Sequence, residues 1–205
     1  MSGWRMVYVL DDDAAACRSL ERMLSSTGFQ LVTFQRPEEF LVKAVNFEQG
    51  CVLLDLRLPG TNGIEVMGAL RRIRIDLPVI VMAAEGDVRV AVRAIKAGAI
   101  DFLEKPCSEE ALLGAIETAL ASGVTTASAE EIADAARRIN TLSPREREVL
   151  DGLIDGLSNK MIAHQLGLSV RTIEVHRARM MDRLGTRQLV QALRLGIIAQ
   201  LGSRQ

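Results

Sequence analysis

Apolar and polar positions change rhythm along this chain. Between residues 5 and 120, short apolar runs alternate with stretches in which apolar residues recur at i, i+3 and i+4. The runs are RMVYVL, FQLVTF, GCVLLD, LPVIVMA and AIDFL. The stretches that follow them are AAACRSLERMLSS, PEEFLVKAV, NGIEVMGALRRIR, DVRVAVRAIKAG and SEEALLGAIETAL. The runs fit strands buried on both faces, and the second spacing fits amphipathic helices. Gly28 and Gly98 stand where helices should stop, Pro37 and Pro78 where elements should start. Five βα units in succession predict an α/β domain over 1–120, with a five-stranded parallel sheet and helices on both faces.

The rhythm breaks at 121–141. SGVTTAS is a polar interruption, and AEEIADAARRI is a short helix with acidic residues early and arginines late, as the helix dipole favours. This segment reads as a linker, part flexible and part helical. Residues 142–205 read as a second, all-α domain.

Charge sharpens the division. Residues 1–120 carry 13 Lys/Arg against 17 Asp/Glu, a balance of −4, whereas residues 142–205 carry 10 against 6, a balance of +4. An acidic front and a basic back call for different partners. With 48% hydrophobic residues but only 3% aromatics, the core should be mostly aliphatic. Cys17, Cys51 and Cys107 form no metal-binding or CxxC spacing, so reduced thiols in a cytoplasmic protein are expected. The first apolar run is too short for a signal peptide, and no run of about 18 apolar residues predicts a membrane span.

The first run ends in three aspartates, Asp11, Asp12 and Asp13. In an open parallel sheet, ligands bind beyond the carboxyl ends of the strands, where strand order reverses. With the order 2-1-3-4-5, strands one and three are neighbours there, and Asp55 ends the third. Asp11, Asp12 and Asp55 should therefore converge. Converging carboxylates repel unless a cation sits among them, and hard oxygen ligands suit Mg²⁺. Lys105, in LEKP at the end of the fifth strand, should reach the same edge. A metal and an ammonium beside a carboxylate suit a phosphoryl group, with Asp55 as the nucleophile that accepts it. Asp13 is expected only to cap the following helix.

On VLDDD, LLDLRLPGTNGIE, AIKAGAIDFLEKP and the five βα units, residues 5–120 resemble a bacterial two-component response-regulator receiver domain, with a flavodoxin-like fold. The resemblance implies phosphorylation of Asp55 by a sensor histidine kinase. It implies Mg²⁺ held by Asp12 and Asp55, by Asp11 mainly through water, and by the backbone carbonyl of Arg57. It also implies a cis Lys105–Pro106 peptide. One position departs from the pattern. Receivers carry Thr or Ser at the end of the fourth strand to hydrogen-bond the phosphoryl group, and this chain has Ala83, followed by Ala84. The aromatic partner of that switch is present as Phe102.

In the basic half, Ser143, Pro144 and Glu146 have the pattern of a helix start. NKMIAHQLG is a short helix with Ile162, Ala163 and Leu166 inward, GLS is a tight turn, and VRTIEVHRARMMDRLG is a longer helix. Its apolar face is Ile173, Met180 and Leu184; Arg171, Arg177, Arg179 and Arg183 line the other. Two helices joined by a short Gly-containing turn form a helix-turn-helix, whose second helix fits the major groove of double-stranded DNA. The pattern LSPREREVL…GLSNKMIAHQLGLSVRTIEVH resembles the LuxR/NarL-type DNA-binding domain, which has four helices. With the receiver ahead of it, the arrangement resembles the FixJ branch of these regulators, RTIEVHRA included. The resemblance implies that Glu174, Val175 and Ala178 face base edges and that Lys160, Arg171, Thr172, Arg177 and Arg179 contact phosphates. It further implies that Leu189, Leu193 and Ile197 of the last helix pair with a second copy. His176 has no nucleophile beside it and is expected to pack or hydrogen-bond locally; His164, on the scaffold helix, is expected at the surface.

The reading is a DNA-binding transcriptional regulator controlled by phosphorylation, a homodimer when active, and not an enzyme. An alternative is a receiver made insensitive to phosphate by Ala83, with DNA binding set by concentration or a protein partner. An aspartate-nucleophile phosphohydrolase is disfavoured, because such enzymes need an acid two residues past the nucleophile, where Arg57 stands.

Overall fold

The computed structural model describes residues 5–84, 88–122, 129–186 and 188–202; the polar interruption at 123–128 lies outside the described residues. The chain divides into two compact units. In chain order the first elements are β1 (Arg5–Leu10), α1 (Ala14–Leu24), β2 (Phe29–Phe34), α2 (Pro37–Ala44), β3 (Gly50–Asp55), β4 (Arg57–Leu58), β5 (Thr61–Asn62), α3 (Gly63–Arg72), β6 (Val79–Ala84), α4 (Val88–Lys96), β7 (Asp101–Lys105) and α5 (Glu109–Ser122). Five strands pair in parallel in the order β2-β1-β3-β6-β7. Counting sheet strands alone, this is the expected 2-1-3-4-5 order. The two-residue strands β4 and β5 add a small antiparallel ribbon directly after Asp55.

Alternation along the strands sorts the core into two layers. Val7, Val9, Leu53, Ile80 and Met82 pack against Leu20 and Leu24 of α1 and Leu112 and Ile116 of α5. On the other face Tyr8, Phe34, Phe40 and Phe47 gather into an aromatic cluster. Tyr8 stacks on Phe47 with ring centroids 3.8 Å apart, and Phe34 meets Phe40 edge-on. The Tyr8 hydroxyl accepts the Glu48 N–H at 2.8 Å, so the buried ring keeps its polar atom satisfied.

Local chemistry starts the helices as the sequence foretells. The Asp13 carboxylate accepts the Ala15 N–H at 2.7 Å and caps α1. Pro37 opens α2, and Asn62 caps α3 by accepting the Glu65 N–H at 3.1 Å. Gly63 is required by close approach: a Cβ there would lie 2.7 Å from the Asp55 carbonyl oxygen. Burial pushes the Cys51 thiol up to about 12, and burial followed by the Asp11 charge pushes Cys17 up to about 11. Both stay protonated at neutral pH and serve as core residues.

The second unit contains α4, which the sequence pattern places with the sheet, together with α6 (Ala129–Ile139), α7 (Pro144–Ile154), α8 (Asn159–Leu166), α9 (Val170–Arg183) and α10 (Leu189–Gly202). Ser143 and Glu146 form a complete capping box at α7. The Glu146 N–H donates to the serine hydroxyl, and the Ser143 N–H donates to the glutamate carboxylate at 2.9 Å. Such a cap is worth about 1 kcal/mol. The core gathers Val149, Leu150, Leu153, Ile162, Ile173, Met180, Leu184 and Leu193.

Two further readings of the sequence change here. The helix expected within the linker packs along α10, and its Ala135 and Ile139 are buried in the same core. Leu193, expected to help pair with a second copy, is fully buried within the unit, and Leu189 and Ile197 are half-buried against its core. Apolar residues that looked surplus on α10 are needed because α10 has neighbours on more than one side, α6 and α7.

Candidate functional site

Register brings the acidic residues together. Leu10 of β1 is paired with Leu54 of β3, so the residues after them, Asp11 and Asp55, leave adjacent strands at the same level. Asp55 is in turn paired with Met82, and Ala84 with Lys105, which carries the lysine to the same edge. Oxygens of Asp11, Asp12 and Asp55 lie within 4.8 Å of one another. Asp11 is fully buried and Asp55 nearly so, while Asp12 is exposed.

Every buried oxygen of the pair has a donor. Asp11 accepts the Asp13 N–H at 3.0 Å through one oxygen and the Lys105 ammonium at 2.5 Å through the other. Asp55 accepts the Arg57 N–H at 2.8 Å through one oxygen and Lys105 through the other. Burial alone would lower the Lys105 pKa, but the hydrogen bonds and charges of Asp11 and Asp55 outweigh it and hold the ammonium above its usual range. Three carboxylates and one ammonium leave a formal charge of −2 in one place. That charge and an all-oxygen donor set fit a divalent hard cation. The Lys105–Pro106 peptide is cis.

Ala83 is buried next to this edge, and Phe102 is buried on the neighbouring strand, paired with Val81. Ala83 brings no hydroxyl to the edge. Glu104, the residue paired with Ala83, is exposed. The ribbon of β4 and β5 was not legible in advance, because two-residue strands carry no periodicity. The Arg57 N–H at its start orients Asp55 together with Lys105.

In the second unit, Gly167 ends α8 in the left-handed conformation (φ 65°), and Ser169 starts α9 by accepting the Thr172 N–H at 3.1 Å. This Gly-Leu-Ser turn makes α8 and α9 a helix-turn-helix. Ile173 and Met180 of α9 are buried. Arg171, Glu174, Val175 and Ala178, spaced 0, 3, 4 and 7, form a stripe on the opposite side, and all four are exposed. Arg179 is exposed beside it, and Lys160 is exposed on α8. Arg177 is half-buried, because it follows Ile173 by one helical turn. Thr172 is half-buried too, and its hydroxyl is 2.8 Å from that of Ser169.

Arg183 does not join the basic face. Its Nε lies 3.2 Å from Glu146, and its Nη1 donates to the Thr141 carbonyl at 3.2 Å. Glu146 is buried, so this ion pair joins the start of α7 to the end of α9. The capping pattern marks Glu146 in the sequence; its second partner, 37 residues on, carries no local signal.

Comparisons with known proteins agree with both halves. The response regulator receiver domain family matches residues 7–117, and the luxR family of bacterial regulatory proteins matches residues 140–195. The transcriptional regulatory protein FixJ of Bradyrhizobium diazoefficiens is 43% identical over 194 residues, 94% of this chain and 95% of that protein. FixJ of Rhizobium meliloti is 39% identical over 197 residues, 96% of this chain and 97% of its own length. The crystal structure of full-length FixJ from B. japonicum, at 41% identity, covers 96% of this chain and 98% of that one with a TM-score of 0.56. A receiver with a converged acidic site, followed in the same chain by a LuxR-type helix-turn-helix, places this protein among the FixJ-like, DNA-binding response regulators of transcription.

Proposed function

We propose that Asp55 takes up a phosphoryl group from a sensor histidine kinase and that this controls DNA binding by α9. The observation that carries the proposal is the meeting of Asp11, Asp12, Asp55 and Lys105 at one strand edge. A carboxylate oxygen of Asp55 attacks phosphorus, the bond to the donor histidine breaks, and the imidazole leaves. The Arg57 N–H and Lys105 fix the orientation of the attacking carboxylate. Asp11, Asp12, Asp55 and the Arg57 carbonyl would hold Mg²⁺, which when bound neutralises the phosphoryl oxygens. Lys105 would neutralise one more.

The protein then acts as a phosphate-controlled switch and not as an enzyme with a substrate of its own. Its active form is a homodimer on a two-fold-related duplex site, and it works in the cytoplasm. Among the described residues no helix is long and apolar enough to cross a membrane. Mass in solution and DNA affinity, each measured with and without Mg²⁺ and a small acyl phosphate, test the proposal. A phosphate- and metal-dependent rise in both is expected. Uptake of phosphate with no change in either would overturn control by Asp55.

A further inference from the structure

Two adjacent arginines near the end of α6 have different surroundings. Arg137 is exposed and pairs with Asp134 of its own helix at 2.9 Å. Arg138 is half-buried, and its guanidinium donates to the carbonyl of Leu184, the residue that caps the C-terminus of α9. Arg183, one residue earlier, is tied to Thr141 and to buried Glu146. The last turn of α9 is thus held from one side by the end of α6, the start of α7 and the segment between them.

The final carbonyls of a helix have no partner within it, and a cation placed there also meets the negative end of the helix dipole. Arg138 supplies both a donor and a charge. It does so from a helix that lies before the segment matching the luxR family, which starts at residue 140. Next to Leu184 the chain turns through Gly185 in the left-handed conformation (φ 62°), where a Cβ would come within 3.5 Å of the Arg138 guanidinium.

We propose that Arg138 is a positioning residue for DNA recognition: by capping the far end of α9 from α6, it fixes the angle at which the exposed stripe of Arg171, Glu174, Val175 and Ala178 meets the groove. The proposal rests on α9 being the recognition helix. It makes α6 a working part of the DNA-binding unit. Arg138 itself touches no base, so its loss should reduce discrimination more than non-specific attraction.

The test uses the full chain and two duplexes: one selected by the parent protein from a randomised pool, and one of unrelated mixed sequence. Arg138→Met keeps the packed stem and removes the guanidinium; Arg137→Met removes the same charge one position away. Arg138→Met should lose about tenfold in affinity for the selected duplex, the equivalent of one charge-assisted hydrogen bond. Its affinity for the unrelated duplex and its salt dependence should match those of Arg137→Met. Arg138→Lys, which restores a cationic donor, should recover most of the loss. Equal behaviour of Arg138→Met and Arg137→Met on both duplexes overturns the proposal. So does a drop of roughly one unit in salt slope for Arg138→Met alone, which would make Arg138 a phosphate contact. Should Arg138→Met not fold, Arg138→Lys decides: affinity like the parent's supports the cap, and a tenfold loss with an unchanged unfolding midpoint refutes it. If the parent selects no duplex, the recognition-helix reading fails and the proposal falls with it.

Discussion

The two charged regions of this protein are built on opposite plans. In the first unit, Asp11 and Asp55 are buried and share one lysine, and each remaining oxygen has a backbone donor. In the second, Arg171, Glu174, Val175, Ala178 and Arg179 stand exposed along one helix, where each can act separately. Groups that share partners act as a unit and fail together, whereas separated groups contribute nearly independently. The acidic site should thus behave as all-or-none, and the basic helix as a graded surface.

Asp55→Asn makes the largest difference. The amide is a poor nucleophile, so acid-labile phosphate from a small donor should fall to background while basal DNA affinity stays near the parent's. Retained phosphate would move the acceptor elsewhere and dissolve the contrast. Ala83→Thr comes next. A hydroxyl there would add a hydrogen bond to the charged phosphoryl group, worth roughly 1.5–3 kcal/mol and present only after phosphorylation. The phosphate-dependent change in DNA affinity should steepen by about tenfold or more. If the parent already responds more steeply than Ala83→Thr, the coupling runs through other groups.

On the basic helix, Arg179→Ala should weaken binding to all duplexes and lower the salt slope by roughly one unit. Glu174→Ala should instead alter sequence preference, which selection from a randomised pool will reveal. A change of preference from Arg179→Ala would reverse the two roles. The smallest effect belongs to Asp13→Ala, which removes an exposed cap beside the acidic site. It should cost about 1 kcal/mol in denaturant unfolding and leave phosphate uptake intact. A loss of uptake would enlist Asp13 in the chemistry and widen the unit that fails together.

What could be read in advance follows the range of the forces involved. The strands of the sheet, the caps by Asp13 and Ser143 and the turn at Gly167 depend on residues a few positions apart, and all are legible. The acidic site is legible although its members are far apart, because strand order and register carry Asp11, Asp55 and Lys105 to one edge. No such rule links Arg183 to Glu146, Arg138 to Leu184 or α6 to α10. These contacts arise when helices pack, and a 3.6-residue period says which face is buried but not against what. For the same reason Leu193 looked available to a partner when it is core.

Gly63 adds a mechanical consequence to its place at the start of α3. Its N–H donates to the Leu56 carbonyl at 3.0 Å, and a Cβ would sit 2.7 Å from the Asp55 carbonyl oxygen and 3.1 Å from the Leu56 Cα. The helix start rests directly on the backbone that carries the acceptor, with the Leu56 side chain packed alongside at 3.1 Å from the same point. Backbone against backbone is a hard stop: α3 cannot approach β3, and a push at Asp55 in that direction meets stiffness at once. On the other flank, β6 ends in two alanines, the first buried and the second exposed. The acceptor's backbone is therefore braced on both flanks: by α3 on one and, through the pairing of Asp55 with Met82 and the Leu56 N–H on the Met82 carbonyl at 3.0 Å, by β6 on the other.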